Sequence, residues 1–376
     1  MIALLLPSLL LRLLQPLPAP TVHRPPSTVH SLPQATVHRP LSTVHLLPQA
    51  TVPPAFRQAI PGYHWSFPTD DHPHPAFANE WWYFTGNLKT PSGRPYGFEL
   101  TFFRVSPAPG TPLAQQLFFT HFAISDIAGH RYSFWTRARR GNWQQAGAEK
   151  TNRGFVLFNE NWRATFDATG PSHLEAAWNN LTLDLDLVPG ARTLNGINGW
   201  SQKGTAIGQA SYYYSFPHIL ARGKVNGHPA SGLAWMDHEF ATNQLAPNQQ
   251  GWDWMGLHLP QGDLMLFNLR QTTGARDPHS AGTWTPKTGE PISLFAADFH
   301  MTPTRWWQAY PVAWQVQIPS LHLAFTVTAQ RDDQELRDPV IATSYWEGAV
   351  TLSGPEAAGE GYLELTGYRA RFNLLQ

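Results

Sequence analysis

The chain has 376 residues, 26 Lys+Arg against 26 Asp+Glu, and no cysteine. At about 150 residues per domain, that length predicts two globular units plus an extra segment. So even a charge balance lacks the broad positive field that nucleic-acid binding needs, and the missing thiols exclude disulfides, thiolate zinc sites, iron–sulfur clusters and a cysteine nucleophile.

Residues 1–55 stand apart. Met1–Leu14 is apolar, broken by Pro7 and Arg12, and resembles a secretory h-region, though no basic residue precedes it. Export is one expectation for this start and a mobile tail is the other; a peripheral membrane contact is compatible with it. A repeat follows, TVHRPPSTVHSLPQA from Thr21 and TVHRPLSTVHLLPQA from Thr36. A period this short and rich in proline cannot stack into a solenoid, so polyproline II or disorder is the physical default. His23, His30, His38 and His45 on such an arm offer no preformed metal site.

Only 14% of residues are charged while 13% are aromatic, and Pro (34) and Gly (29) are frequent, a composition of many short strands and turns. From His64 onward strand-like runs recur: Trp81–Leu88, Gly97–Arg104, Leu117–Asp126, Phe155–Phe158, Trp162–Asp167, Tyr212–Phe216, Gly232–Phe240, Trp252–Leu259 and Leu264–Arg270. Leu181, Leu183, Leu185 and Leu187 alternate with polar residues, as do Leu321, Leu323, Phe325 and Val327. Turn signals such as Asn226-Gly227 and Gln261-Gly262 separate them. The polar run from Ala241 to Gln250 makes the best internal boundary. The expectation is an all-β protein with antiparallel β-barrel domains at 56–243 and 244–376, behind a disordered Pro-rich arm. A barrel of that size can hold one apolar ligand.

Four segments could carry chemistry. In Glu80-Trp81-Trp82-Tyr83, Glu80 and Trp82 share one strand face. A buried Glu80 is a candidate acid; the alternative is a carboxylate tied to a turn or an arginine. Tyr212 and Tyr214 share a face of the next segment, where phenols either pack or meet a ligand. In Trp235-Met236-Asp237-His238-Glu239-Phe240, Trp235, Asp237 and Glu239 face one way and His238 the other. Two carboxyls at this spacing beside an indole read as an acid–base pair, as a structural network, or, with His238, as a metal site. Adjacent strand residues diverge, which disfavours the metal. Trp252 and Trp254 share a face at the start of the second unit. No G-x-S-x-G, H-E-x-x-H or P-loop occurs.

These segments, with Thr101-Phe102-Phe103-Arg104, His121-Phe122-Ala123-Ile124-Ser125-Asp126, Tyr213-Tyr214-Ser215 and Gly251-Trp252-Asp253-Trp254, resemble the AttH-like and carotenoid 1,2-hydratase group, from about His64 to the C-terminus. The resemblance implies two lipocalin-like (calycin) barrels and, in the hydratases, addition of water to a terminal isoprenoid double bond without a cofactor. Members are often labelled predicted secreted hydrolases. Asp237 matches the aspartate that protonates the alkene there, with Trp235 in place of the usual Tyr; by local order Tyr212 and Tyr214 fall where the hydratases have His-x-Trp. On this reading Asp237, Glu239, Tyr212, Tyr214 and Trp235 carry the chemistry. Glu80, Trp82, His238, Trp252 and Trp254 would meet an apolar isoprenoid, carotenoid or lipid. A non-catalytic carrier of such a ligand is the rival expectation.

Overall fold

Alternating side chains fold the chain into two antiparallel sheets in the computed structural model of the protein, which describes residues 55–372 apart from 142–143, 244, 339–342 and 356. The apolar start and the Pro/His repeat lie outside the described residues. The first sheet holds β1 (Asn79–Lys89), β2 (Pro95–Val105), β3 (Leu117–Asp126), β4 (Arg131–Arg140), β5 (Ala146–Lys150), β6 (Phe155–Asn159), β7 (Trp162–Asp167), β8 (Gly170–Trp178), β9 (Leu181–Pro189), β10 (Thr193–Leu194), β11 (Trp200–Gln202), β12 (Ala210–Val225) and β13 (His228–Ala241). The second holds β14 (Gln249–Leu259), β15 (Gly262–Gln271), β16 (Ala281–Pro286), β17 (Ile292–Phe295), β18 (His300–Trp307), β19 (Tyr310–Ile318), β20 (Leu323–Ala329), β21 (Glu335–Asp338), β22 (Thr343–Ser353) and β23 (Gly359–Leu365).

The first sheet runs β4-β3-β2-β1-β13-β12-β9-β8-β7-β6-β5, with β10 and β11 attached to β12. It curls until its ends meet through side chains. Asn159, closing β6, donates to Thr120 Oγ1 at 3.1 Å and to the Arg137 carbonyl at 3.3 Å, and Arg137 donates back to the Asn159 carbonyl at 3.2 Å. The second runs β17-β16-β15-β14-β23-β22-β20-β19-β18, with β21 on β22. The expected all-β pair of barrels is what forms. Asn226 (φ 50°) and Gly227 (φ 77°) make the tight turn between β12 and β13. One predicted strand starts late: Leu321 lies in a 3-10 turn ending at His322 in the left-handed region, and β20 begins at Leu323.

Period-two alternation decides what goes where. Trp82, Phe84, Phe98, Leu100, Phe122, Trp162, Leu183 and Met236 fill the first barrel. Met255, Leu257, Trp314, Val316, Trp346 and Leu363 fill the second. Large apolar side chains occupy both interiors, while the cavity described below lies between the two sheets. The opposite faces of β1, β12 and β13 meet those of β14, β15, β22 and β23 in a third buried cluster of Tyr83, Tyr213, Trp235, Trp254, Met265, Phe267 and Tyr362. The described residues from Phe56 onward accordingly form one compact unit. Gly97 lets the sheets approach: a Cβ there would stand 2.8 Å from Ala349 Cβ. Asn87 donates to the Gly361 carbonyl at 2.8 Å and Ser125 to Gln334 Oε1 at 2.5 Å, stitching the same seam.

Candidate active site between the barrels

On β13, Asp237 and Glu239 point out of the first barrel, while Met236, His238 and Phe240 point into or across it. That outward face opens on a void of about 860 Å³, counting its mouth. Both sheets line it. Trp81, Tyr83, Phe103, Phe119, Tyr213 and Asp237 come from the first; Trp252, Trp254, Phe267, Glu347 and Glu364 come from the second. The walls are mostly aromatic, with a few convergent polar groups, as small-molecule sites tend to be.

Asp237 is held by three donors. Ser215 Oγ reaches its Oδ1 at 2.5 Å, Trp235 Nε1 reaches the same oxygen at 2.6 Å, and the Tyr213 hydroxyl reaches Oδ2 at 2.6 Å. Two of these donors are themselves fixed: Asn195 donates to Ser215 at 2.7 Å, and Trp254 Nε1 to the Tyr213 hydroxyl at 3.2 Å. Burial pushes the Asp237 carboxyl up to about 7, with the neighbouring Glu239 adding to it and the three donors pulling the other way. Oδ1 already takes two donors and Oδ2 only one, so Oδ2 is the oxygen with a lone pair left for a proton.

Glu239 is balanced differently. The Lys203 ammonium lies 3.4 Å from Glu239 Oε1 and 3.8 Å from the Phe267 ring centroid. Burial pulls the Lys203 ammonium down, against the opposing pull of Glu239.

The second sheet contributes two more acids. Glu347 on β22 and Glu364 on β23 are register partners, so their side chains stand on the same face. Burial raises Glu347 well above the carboxylate range, with Glu99 and Glu364 adding to it; burial takes Glu364 to about 8. The Tyr83 hydroxyl donates to Glu347 Oε2 at 2.9 Å, and Tyr83 is itself the register partner of Asp237.

Of the residues expected from sequence, Asp237, Glu239, Trp252 and Trp254 line the void, and Trp235 stands behind Asp237 as one of its donors. Tyr212 and Tyr214 do not line it. Alternation turns them to the other face of β12, and Tyr213 and Ser215 are the ones that touch Asp237. The Tyr212 hydroxyl donates to the Ile60 carbonyl at 2.9 Å and accepts from the Ile60 amide, while Tyr214 donates to Asp71 at 2.6 Å.

Glu80, Trp82 and His238 are also absent from the void, for the same reason. Glu80 is fully buried and accepts from Arg104 Nε at 2.7 Å, the His74 amide at 2.8 Å, His74 Nδ1 at 2.7 Å and His238 Nε2 at 2.8 Å. Burial alone would raise it, but Arg104 and His74 hold it far below the carboxylate range. Trp82 stacks on His238 at 4.6 Å and donates to the Asp71 carbonyl at 3.0 Å. These side chains pin residues 57–77 to the first barrel. The alternative that Glu80 is tied to an arginine is the observed one.

Among the described residues, two groups bring three metal-ligating atoms within 4.8 Å of one another: His74, Glu80 and His238, and His218, His258 and Asp263. Arg104 already supplies the positive charge at the first. The triad of Asp237, His238 and Glu239 is not assembled, because His238 faces away from both acids. Glu347, Glu364, Lys203, Tyr213 and Ser215 escaped sequence reading. The signal for the two glutamates was there: each is an acid set in an apolar strand, as in Tyr345-Trp346-Glu347 and Tyr362-Leu363-Glu364.

The AttH-like family matches residues 58–368. An AttH protein from Nitrosomonas europaea shares the fold with a TM-score of 0.75 and 33% identity, over 83% of this chain and 100% of that one. Kievitone hydratase from Nectria haematococca aligns with a TM-score of 0.59 and 17% identity over 85% and 98%, a likeness of fold. The dehydratase asqC of Emericella nidulans is 23% identical over 277 residues, 65% of this chain and 75% of that protein. Two packed barrels, with matched sequence running through both of them, make this chain a member of the AttH-like family.

Proposed function

We propose that the protein is a hydro-lyase of the hydratase–dehydratase type, adding or removing water at an apolar, isoprenoid-like substrate held between the barrels. The observation that carries this reading is Asp237, a buried acid pushed up to about 7 inside an aromatic cavity. An acid is most useful as a proton carrier when its pKa lies near the working pH. Relatives named as a dehydratase and a hydratase support the same class.

In the hydration direction, the Asp237 O–H bond breaks and its proton joins the less substituted carbon of a C=C bond. The π pair forms the new C–H bond and leaves a tertiary carbocation. The faces of the lining aromatic rings attract that positive charge. A water oxygen then bonds to the cation and loses a proton to the Asp237 carboxylate, directly or through Glu239, restoring the acid. Dehydration is the same path reversed. Tyr213, Ser215 and Trp235 hold Asp237 in place, and the chemistry calls on side chains alone.

The test uses the full chain with kievitone and with neutral acyclic terpenes bearing a terminal isoprenyl group, incubated in H2(18)O. The expected product carries one added labelled water, and Asp237→Asn abolishes its formation while leaving the far-UV circular dichroism unchanged. Labelled product formed equally by the Asn variant would sink the reading. A ligand retained unchanged, with no label, would favour the carrier.

A further inference from the structure

The charge census of the cavity is lopsided. Asp237, Glu239, Glu347 and Glu364 line it; of its basic groups, the Lys203 ammonium is already engaged by Glu239 and the His121 imidazole by the Tyr345 hydroxyl. Glu347 and Glu364 lie on the opposite sheet from Asp237. As register partners on antiparallel strands their Cβ atoms stand about 5 Å apart. Two carboxyls that close, both buried, do not ionise together; at least one proton stays with the pair. Glu99 on β2 adds a further negative neighbour to both. The donors to the pair are neutral: the Tyr83 hydroxyl to Glu347 and the Trp252 indole to Glu364.

We propose that Glu347 and Glu364 share at least one retained proton and donate it, as a hydrogen bond, to an oxygen atom of an electrically neutral and otherwise apolar ligand. The ligand class is therefore an apolar alcohol, phenol or ketone, and its carboxylate counterpart is rejected. This rests on the reading that the space between the barrels is the reaction site. A carboxylate or phosphate head would bring another negative charge to a wall already lined by four acids, whose Lys203 is taken by Glu239. A hydrocarbon without oxygen would leave the donated proton unpaired. The apolar remainder has Trp81, Phe103, Phe119, Phe267 and Leu269 to lie against.

The experiment follows quenching of tryptophan emission in the full chain by four matched probes: farnesol, farnesoate, farnesylamine and farnesene. Farnesol should bind about tenfold more tightly than farnesene, the worth of one hydrogen bond, and farnesoate more weakly than either. In Glu347→Leu/Glu364→Leu the farnesol advantage over farnesene should vanish. In Glu364→Gln, which keeps a neutral donor in place and guards against a folding artefact, it should persist. Farnesoate binding as tightly as farnesol, farnesylamine outranking both, no quenching by any probe, or an unchanged ranking in the double Leu variant would each overturn the proposal. The two readings fail separately. The ranking surviving without any water addition defeats hydration alone; Asp237-dependent turnover without the ranking defeats the shared proton alone.

Discussion

Tyr83 stands beside Asp237 on the first sheet and gives its hydroxyl to Glu347 on the second, 2.9 Å away. One phenol therefore couples the floor of the cavity to its far wall. Tyr83→Phe leaves Glu347 without that donor, which disfavours its ionised form. The carboxyl-carbon NMR midpoint of the Glu347–Glu364 pair should move further up, and urea unfolding should show a loss of about 1–3 kcal/mol.

Asp237 gives stability a definite pH dependence. Its folded value, about 7, lies above the 3.8 of an ordinary aspartate in the unfolded chain. Its favourable contribution is thus complete below about 3.8 and is lost as pH rises through about 7. Asp237→Asn mimics the protonated form and escapes that loss. The stability advantage of the variant over wild type should grow between about pH 4 and about pH 7 and level off above that, by up to a few kcal/mol in urea melts.

Gly256 is a packing device. A Cβ there would lie 2.5 Å from Trp254 Cη2 and 3.0 Å from Trp235 Cδ2. Both indoles are committed, Trp254 to Tyr213 and Trp235 to Asp237. Gly256→Ala should cost about 1–3 kcal/mol and loosen two supports of the Asp237 carboxylate, so the acid should titrate above its wild-type midpoint.

The residues displaced from the cavity should behave as structural ones. Glu80→Gln leaves Arg104 buried without its carboxylate and is expected to destabilise by about 3–5 kcal/mol. Tyr212→Phe frees the Ile60 backbone for about 1 kcal/mol. Neither should move the Asp237 titration. A shift of that midpoint in Tyr212→Phe would show that the phenol acts on the cavity after all.

The barrels were legible because period two survives in single strands: the leucines of β9 and the alternation through Trp235, Asp237 and Glu239 read correctly without any partner. The pairing of strands was not legible. Which tyrosine of the Tyr212-Tyr213-Tyr214 run meets Asp237 depends on the β12–β13 register, in which Tyr213 and Ser215 stand opposite Glu239 and Asp237. A slip of one residue exchanges faces, and local order chose the wrong pair. Glu347 and Glu364 are 110 or more positions from Asp237 in the chain, so only the packing of the two barrels brings them together. The same packing put the cavity between the barrels, where no periodicity within one barrel could announce it.

The most direct measurement is a carbon-13 NMR titration of the aspartate carboxyls in the full chain, with the Asp237 signal assigned by its disappearance in Asp237→Asn. The account predicts a midpoint near 7 for that signal. A midpoint at or below about 4, the range of an ordinary exposed aspartate, would contradict it.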